Sequence, residues 1–302
     1  MKLTQQSQFE TLFKTFLTML KLQGFSLKTI EGYSRAVRKI AEYFDYSIEN
    51  LTRDQLLEYF SQLIDSRSWS TVKVARNGLQ FFYKHVLNRE WDRIDLIRPP
   101  EVQTFPEILT QEEISPVLNA LTKPSYRVFF LTVYSMGLRL EETLTLRPRD
   151  IQAKCEQVRI HCSKGGKSRM VPLPNVTLLA LRNHWKTHRN NQLIFPSLSG
   201  DDTVKRTTKK AMDRGSLQRA IKLAVVSRGI PREITARSLR HSYATHLIEK
   251  GVDIRQVQAI LGHLHLKTTE RYTHLTNVTQ QNAREQITSL MNALSISWED
   301  RS

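Results

Sequence analysis

"EQVRIHCSKGGKSRMVPLP", residues 156–174, holds the clearest β signal in the chain. Two runs rich in β-branched and apolar residues flank the pair Gly165-Gly166, and a glycine pair between such runs reads as a hairpin turn. The turn presents Lys164 at its tip. On both sides of this segment the apolar residues recur with helical spacing instead. The expected fold class is therefore mainly α with a small β-sheet or hairpin.

The N-terminal third carries four helical patterns. Phe9, Leu12, Phe13, Phe16, Leu17 and Leu20 form one apolar stripe, closed near Gly24. Ile30, Tyr33, Val37, Ile40, Ala41 and Phe44 form a second after a cap at Ser26. "TRDQ" at Thr52–Gln55 has capping-box spacing and leads into Leu56, Tyr59, Phe60 and Leu63. A cap at Ser70 is expected for the fourth helix, which runs through Ala75, Leu79, Phe82 and Val86. "DLIRPPEVQTFPEIL", residues 95–109, has three prolines and no helical period, so it reads as a semi-extended linker. A second capping box, "TQEE" at Thr110–Glu113, opens the C-terminal part of the chain. The expected organisation is a helical domain over 1–95, a linker over 96–109 and an α+β domain over 110–302.

The chain has 302 residues, a formal charge of +16 and a pI near 10, which point to a polyanionic partner such as nucleic acid. Between Thr203 and Arg240 there are eleven Lys or Arg against two acids, in a stretch that also carries Ile221, Leu223, Val225 and Val226. Its apolar content marks a folded basic surface rather than a tail. No apolar run reaches the roughly 18 residues of a membrane helix, and "MKLTQQSQ" does not read as a secretory signal. Cys155 and Cys162 read as small buried residues rather than a disulfide or a zinc site. A cytoplasmic, metal-free protein is expected, with no cofactor.

A phosphodiester repels nucleophiles, so chemistry on it requires cationic hydrogen-bond donors around the phosphate. Arginine suits that task because its planar fork spans two oxygens and keeps its charge. "SMGLRLEE" sets Arg139 after Gly137 at a helix break, with Glu142 nearby; alone it reads as a structural ion pair. "SLRHSYATHL" places Arg240 where a basic stretch becomes apolar and helical, and "LGHLHLKTTERYTHL", residues 261–275, holds His263 and Tyr272. Taken singly, Lys164 is a solvated lysine and Tyr272 the edge of a helical core.

In order, these pieces resemble the tyrosine recombinases, or phage integrase family: Arg139 in "GLRLEE", Lys164 in "SKGGKSRMVPL", Arg240 in "SLRHSYATHL", His263 in "LGH" and Tyr272 in "TTERYTH". The intervals agree too, with 25 residues from Arg139 to Lys164, 101 to Arg240, then 23 to His263 and 9 to Tyr272. The resemblance spans nearly the whole chain. It implies a SAM-like helical core-binding domain followed by the α+β recombinase catalytic domain. It also implies the roles. Tyr272 would attack the phosphate and leave a 3′-phosphotyrosyl link. Arg139 and Arg240 would grip the non-bridging oxygens, and Lys164 would protonate the leaving 5′-oxygen. His263 would hydrogen-bond the phosphate, and Glu142 would steer the arginines. Lys167 and Arg169 are expected DNA contacts. A tyrosine with an ordinary pKa of about 10 needs such a cationic setting to react at neutral pH.

One position departs from the family. Members usually carry histidine three residues before the second arginine, and "TARSLRH" has Arg237 there. Arg237 is expected to act as a fixed positive charge, since a guanidinium cannot take up the tyrosine's proton.

The expected function is site-specific cutting and rejoining of double-stranded DNA without metal or ATP, by a homotetramer on two DNA sites in a prokaryotic cytoplasm. No membrane or small-molecule substrate is expected. A type IB topoisomerase would use the same residues as a monomer, and a DNA-binding regulator could keep the fold without the chemistry. The intact Tyr272, Lys164 and two arginines oppose the regulator. The helical domain and the stripe Ile287, Leu290, Met291 and Leu294, a candidate docking helix, favour recombination.

Overall fold

A computed structural model describes residues 2–89, 106–161, 168–263 and 265–270. The chain divides into two compact units, Met1–Gln103 and Thr104–Ser302.

The first unit contains α1 (Lys2–Leu22), α2 (Leu27–Tyr43), α3 (Arg53–Ser66) and α4 (Trp69–His85). Gly24 ends the first with φ +71, a conformation that costs a glycine nothing. Ser26 caps α2 by accepting from the Thr29 amide, and Thr52 with Gln55 forms the expected capping box on α3. The fourth cap falls two residues earlier than expected: Ser68 is the N-cap and Ser70 lies within the first turn. Ser68 and Ser70 have the same cap chemistry, so the choice rests on where the chain leaves α3. Phe9, Phe13, Phe16, Phe60 and Phe82 fill the core. Burying each such ring is worth about 1.5–3 kcal/mol. Gly78 lets α2 and α4 approach closely, since a Cβ there would lie 3.2 Å from the Tyr33 Cα.

The second unit begins with α5 (Gln111–Asn119), α6 (Pro124–Ser135) and α7 (Leu140–Leu144). A small antiparallel sheet comes next, in the order β1 (Ile151–Gln152), β2 (Gln157–Ile160), β3 (Arg169–Pro172). The helices α8 (Asn175–His188), α9 (Asp202–Thr207), α10 (Arg214–Val226), α11 (Ala236–Glu249), α12 (Ile254–Leu261) and α13 (Lys267–Glu270) come after it. The architecture is mainly helical with one small sheet, as the periodicity and the hairpin signal anticipate. In β2 and β3, Val158 pairs with Val171 and both are buried; Ile160 pairs with Arg169. The hairpin is thus in place, while its turn, with Lys164 and Lys167, lies outside the described residues. The two-residue β1 is too short to leave a periodic trace in the sequence.

Two further expectations change. Cys155 is exposed and free, because it sits in the 3₁₀ turn between β1 and β2 rather than on an inward face. Leu109, assigned to the linker, is buried in the core of the second unit. Its amide donates to Ser242 Oγ at 2.9 Å, and the carbonyl of Ile108 accepts from Arg232. Among the described residues, no helix is long and apolar enough to cross a membrane.

Candidate active site

The site is assembled where α6 ends, α7 begins, and α11 meets α12. Gly137 makes the first turn, with φ +58; a Cβ there would lie 2.5 Å from the Tyr243 ring. Only glycine satisfies both demands. The turn delivers Arg139 to the N-cap position of α7, where its amide donates to Glu142 Oε2 at 2.9 Å. The Arg139 side chain returns to the same carboxylate, Nη1 to Oε1 at 2.7 Å, yet remains 44% exposed. Among the described residues, its Nη2 makes only a long bond to Gly262 O, at 3.4 Å.

Arg240 comes from the middle of α11, whose N-cap Thr235 accepts from the Ser238 amide. It is buried. Its Nη1 donates to Gly137 O at 2.8 Å, and its Nη2 donates to Leu261 O at 2.7 Å and lies 3.0 Å from His263 Nε2. Arg237 lies one turn earlier on the same helix, exposed, with its Nε donating to His241 Nε2 at 3.2 Å.

His263 comes directly after α12, once Gly262 has closed that helix with φ +65. A guanidinium only donates, so His263 Nε2 must accept from Arg240. The ring proton then sits on Nδ1, 2.9 Å from Thr269 Oγ1. Burial, with the charges of Arg240, Arg139, His241 and Arg169, pushes the imidazole down to about 3. His263 is neutral at physiological pH. A phosphate contact by Nε2 would require the ring proton to move to Nε2, with Nδ1 then accepting from Thr269 Oγ1 and the bond from Arg240 given up.

Glu142 ties these parts together. Its side chain is 6% exposed and receives Arg139, Arg169 Nη1 at 2.9 Å and Arg169 Nη2 at 2.8 Å, with Arg240 Nη1 at 3.7 Å. Burial alone would raise the carboxyl, but hydrogen bonds and charge from Arg169, with the bonds from Arg139, hold it at about 2. Arg169 also donates from Nε to Ile260 O at 2.7 Å and is 12% exposed. Both Nη atoms of its fork are thus bonded to Glu142 within the protein.

An open pocket is lined by Arg139, Leu140, Arg237, Arg240, His241, His263 and Thr268. The structure therefore gathers Arg139, Arg237, Arg240 and His263 from distant sequence positions and adds His241, which the motif reading did not single out. Its signal was present: four residues after Arg237, it shares that face of α11. Tyr272 lies outside the described residues, as do the helix stripe Ile287–Leu294 and Cys162. Among the described residues, no three His, Cys, Asp or Glu side chains converge as a metal-ligating group. The pocket's chemistry is that of an anion site: converging guanidinium donors around a buried carboxylate that fixes their directions.

Comparison with known proteins agrees with this reading. Residues 107–278 match the phage integrase family, and residues 12–93 match the phage integrase N-terminal SAM-like domain. A tyrosine recombinase from Thermosipho africanus is 30% identical over 83% of this chain and 89% of that protein. Tyrosine recombinase XerA from Pyrococcus furiosus is 29% identical over 92% of this chain and 94% of its own length. In fold, the chain is similar to a lambda integrase (75–356) dimer bound to a COC' core site, with a TM-score of 0.70 at 18% identity, covering 87% of this chain and 94% of that one. It also resembles XerH recombinase bound to palindromic difH substrate, with a TM-score of 0.69 at 24% identity, covering 92% and 83%. The chain belongs to the phage integrase family of tyrosine recombinases. Its activity is site-specific DNA recombination, the cutting and rejoining of DNA strands.

Proposed function

We propose that the chain cuts each DNA strand through Tyr272, forming a 3′-phosphotyrosyl link and releasing a 5′-hydroxyl, and rejoins strands by the reverse step. The tyrosine oxygen bonds to phosphorus as the bond to the 5′-oxygen breaks. Lys164 supplies the proton that the leaving oxygen takes, and the tyrosine's proton passes to water or a neighbouring histidine. Arg139 and Arg240 hold the non-bridging oxygens, and Arg237 adds a third charge at the pocket mouth. The phosphoryl bond energy is kept in the covalent link, so the step requires neither ATP nor a metal. Recombination joins two duplexes, so the working assembly is a homotetramer on paired DNA sites; 1–95 and 110–302 serve as core-binding and catalytic domains joined at 96–109.

The observation that carries this reading is the convergence of Arg139, Arg237, Arg240 and His263 on one pocket around Glu142. The test is a nicked suicide substrate, on which cleavage traps the covalent adduct. The parental chain should form it, and Tyr272→Phe should form none while binding DNA nearly as well. An adduct that persists in Tyr272→Phe assigns the nucleophile elsewhere.

A further inference from the structure

The last carbonyls of an α-helix have no partner within the helix and carry its negative dipole end. At the end of α12 three consecutive carbonyls accept from three different arginines: Ile260 O from Arg169, Leu261 O from Arg240 and Gly262 O from Arg139, the last at 3.4 Å. The same three guanidiniums surround Glu142. Two of them line the pocket, whereas Arg169 does not. The Arg169 stem also lies against the turn that leads into His263, since a Cβ on Gly262 would meet its Cδ at 2.9 Å.

From this geometry we infer that Arg169 is a positioning residue of the strand-cleaving centre: it bonds both oxygens of Glu142 and braces the end of α12, keeping Arg139 and Arg240 at the pocket where the phosphate binds. The inference rests on the strand-cleaving reading above. Glu142 has two oxygens, and Arg169 bonds both. Without it the carboxylate draws Arg240 inward from 3.7 Å and pairs more tightly with Arg139, subtracting their charge from the phosphate. Ile260 O loses its side-chain partner at the same time.

The test compares the full-length parent, Arg169→Met, Arg169→Lys and the double variant Arg169→Met/Glu142→Gln for DNA affinity and single-turnover cleavage of the suicide substrate. Arg169→Met should cleave about 100-fold more slowly, as when an electrostatic donor is lost. Its DNA affinity should stay within about threefold, because the defect lies in the transition state. Arg169→Lys, with one charged donor, should fall between the two. The double variant lacks the carboxylate that captures the arginines and should regain about tenfold over Arg169→Met, a non-additive rescue. A merely structural arginine gives the opposite result, with the second substitution compounding the first. Cleavage by Arg169→Met within about threefold of the parent, a double variant no faster than the single, or equal losses of binding and cleavage would each overturn the inference. If Arg169→Met does not fold, Arg169→Lys with and without Glu142→Gln carries the same comparison. Tyr272→Phe runs alongside: a parent that forms no adduct, or a Tyr272→Phe variant that does, refutes the strand-cleaving reading itself.

Discussion

Replacing Glu142 by Gln preserves its shape and one carbonyl acceptor while removing the charge that faces Arg139, Arg169 and Arg240. The carboxyl stands at about 2, against 4.5 for an unperturbed glutamate. At about 1.36 kcal/mol per pH unit, that difference of roughly 2.5 gives about 3 kcal/mol of native-state stabilisation. Removing one member of a buried ion pair costs about 3–5 kcal/mol, an independent figure of the same size. The folded pKa is depressed, so the stabilisation is present above about 4.5 and is lost as pH falls toward about 2. Differential scanning calorimetry of the full chain at about pH 7.5 should show the transition of the second unit lowered by about 6–12 °C in Glu142→Gln. At about pH 3 the gap between parent and variant should narrow, since the unfolded carboxyl holds its proton there while the folded one is still largely ionised. A loss below about 1 kcal/mol, or a gap that does not change with pH, would refute the view that Glu142 is the charged centre of the arginine cluster.

Two other substitutions probe the frame around the phosphate. Gly137→Ala must place a methyl 2.5 Å from Tyr243 at a φ of +58, so equilibrium denaturation should show a loss of about 2–4 kcal/mol. Cleavage should fall with it, because Gly137 O anchors Arg240, and wild-type stability would show that the turn can relax. Arg237→Ala should slow single-turnover cleavage by about 100-fold while Arg237→Lys keeps most of the rate, as expected of a fixed charge; an alanine variant at the parental rate places this side chain outside the reaction.

Much of the molecule was legible because its signals are local. A capping box spans four residues, and Thr52–Gln55 and Thr110–Glu113 form theirs as read. The period-two runs beside Gly165-Gly166 specify β2 and β3, and the ordered motifs mark Arg139, Arg240 and His263 before any coordinates exist. Where two equivalent signals competed, local reading was off by a step, as with Ser68 and Ser70. Only tertiary structure decided how the marked residues are used. The bonds that do so join positions 91, 103 and 123 residues apart, Arg169 to Ile260, Arg240 to Gly137 and Arg139 to Gly262. No periodicity reports such pairings. Arg169 reads as a surface cation in the chain and becomes a half-buried strut in the fold, because its partner Glu142 lies 27 residues away on another element. The tautomer of His263 has the same origin: Arg240 and Thr269 assign its proton, and they meet the ring only after α11, α12 and α13 have packed.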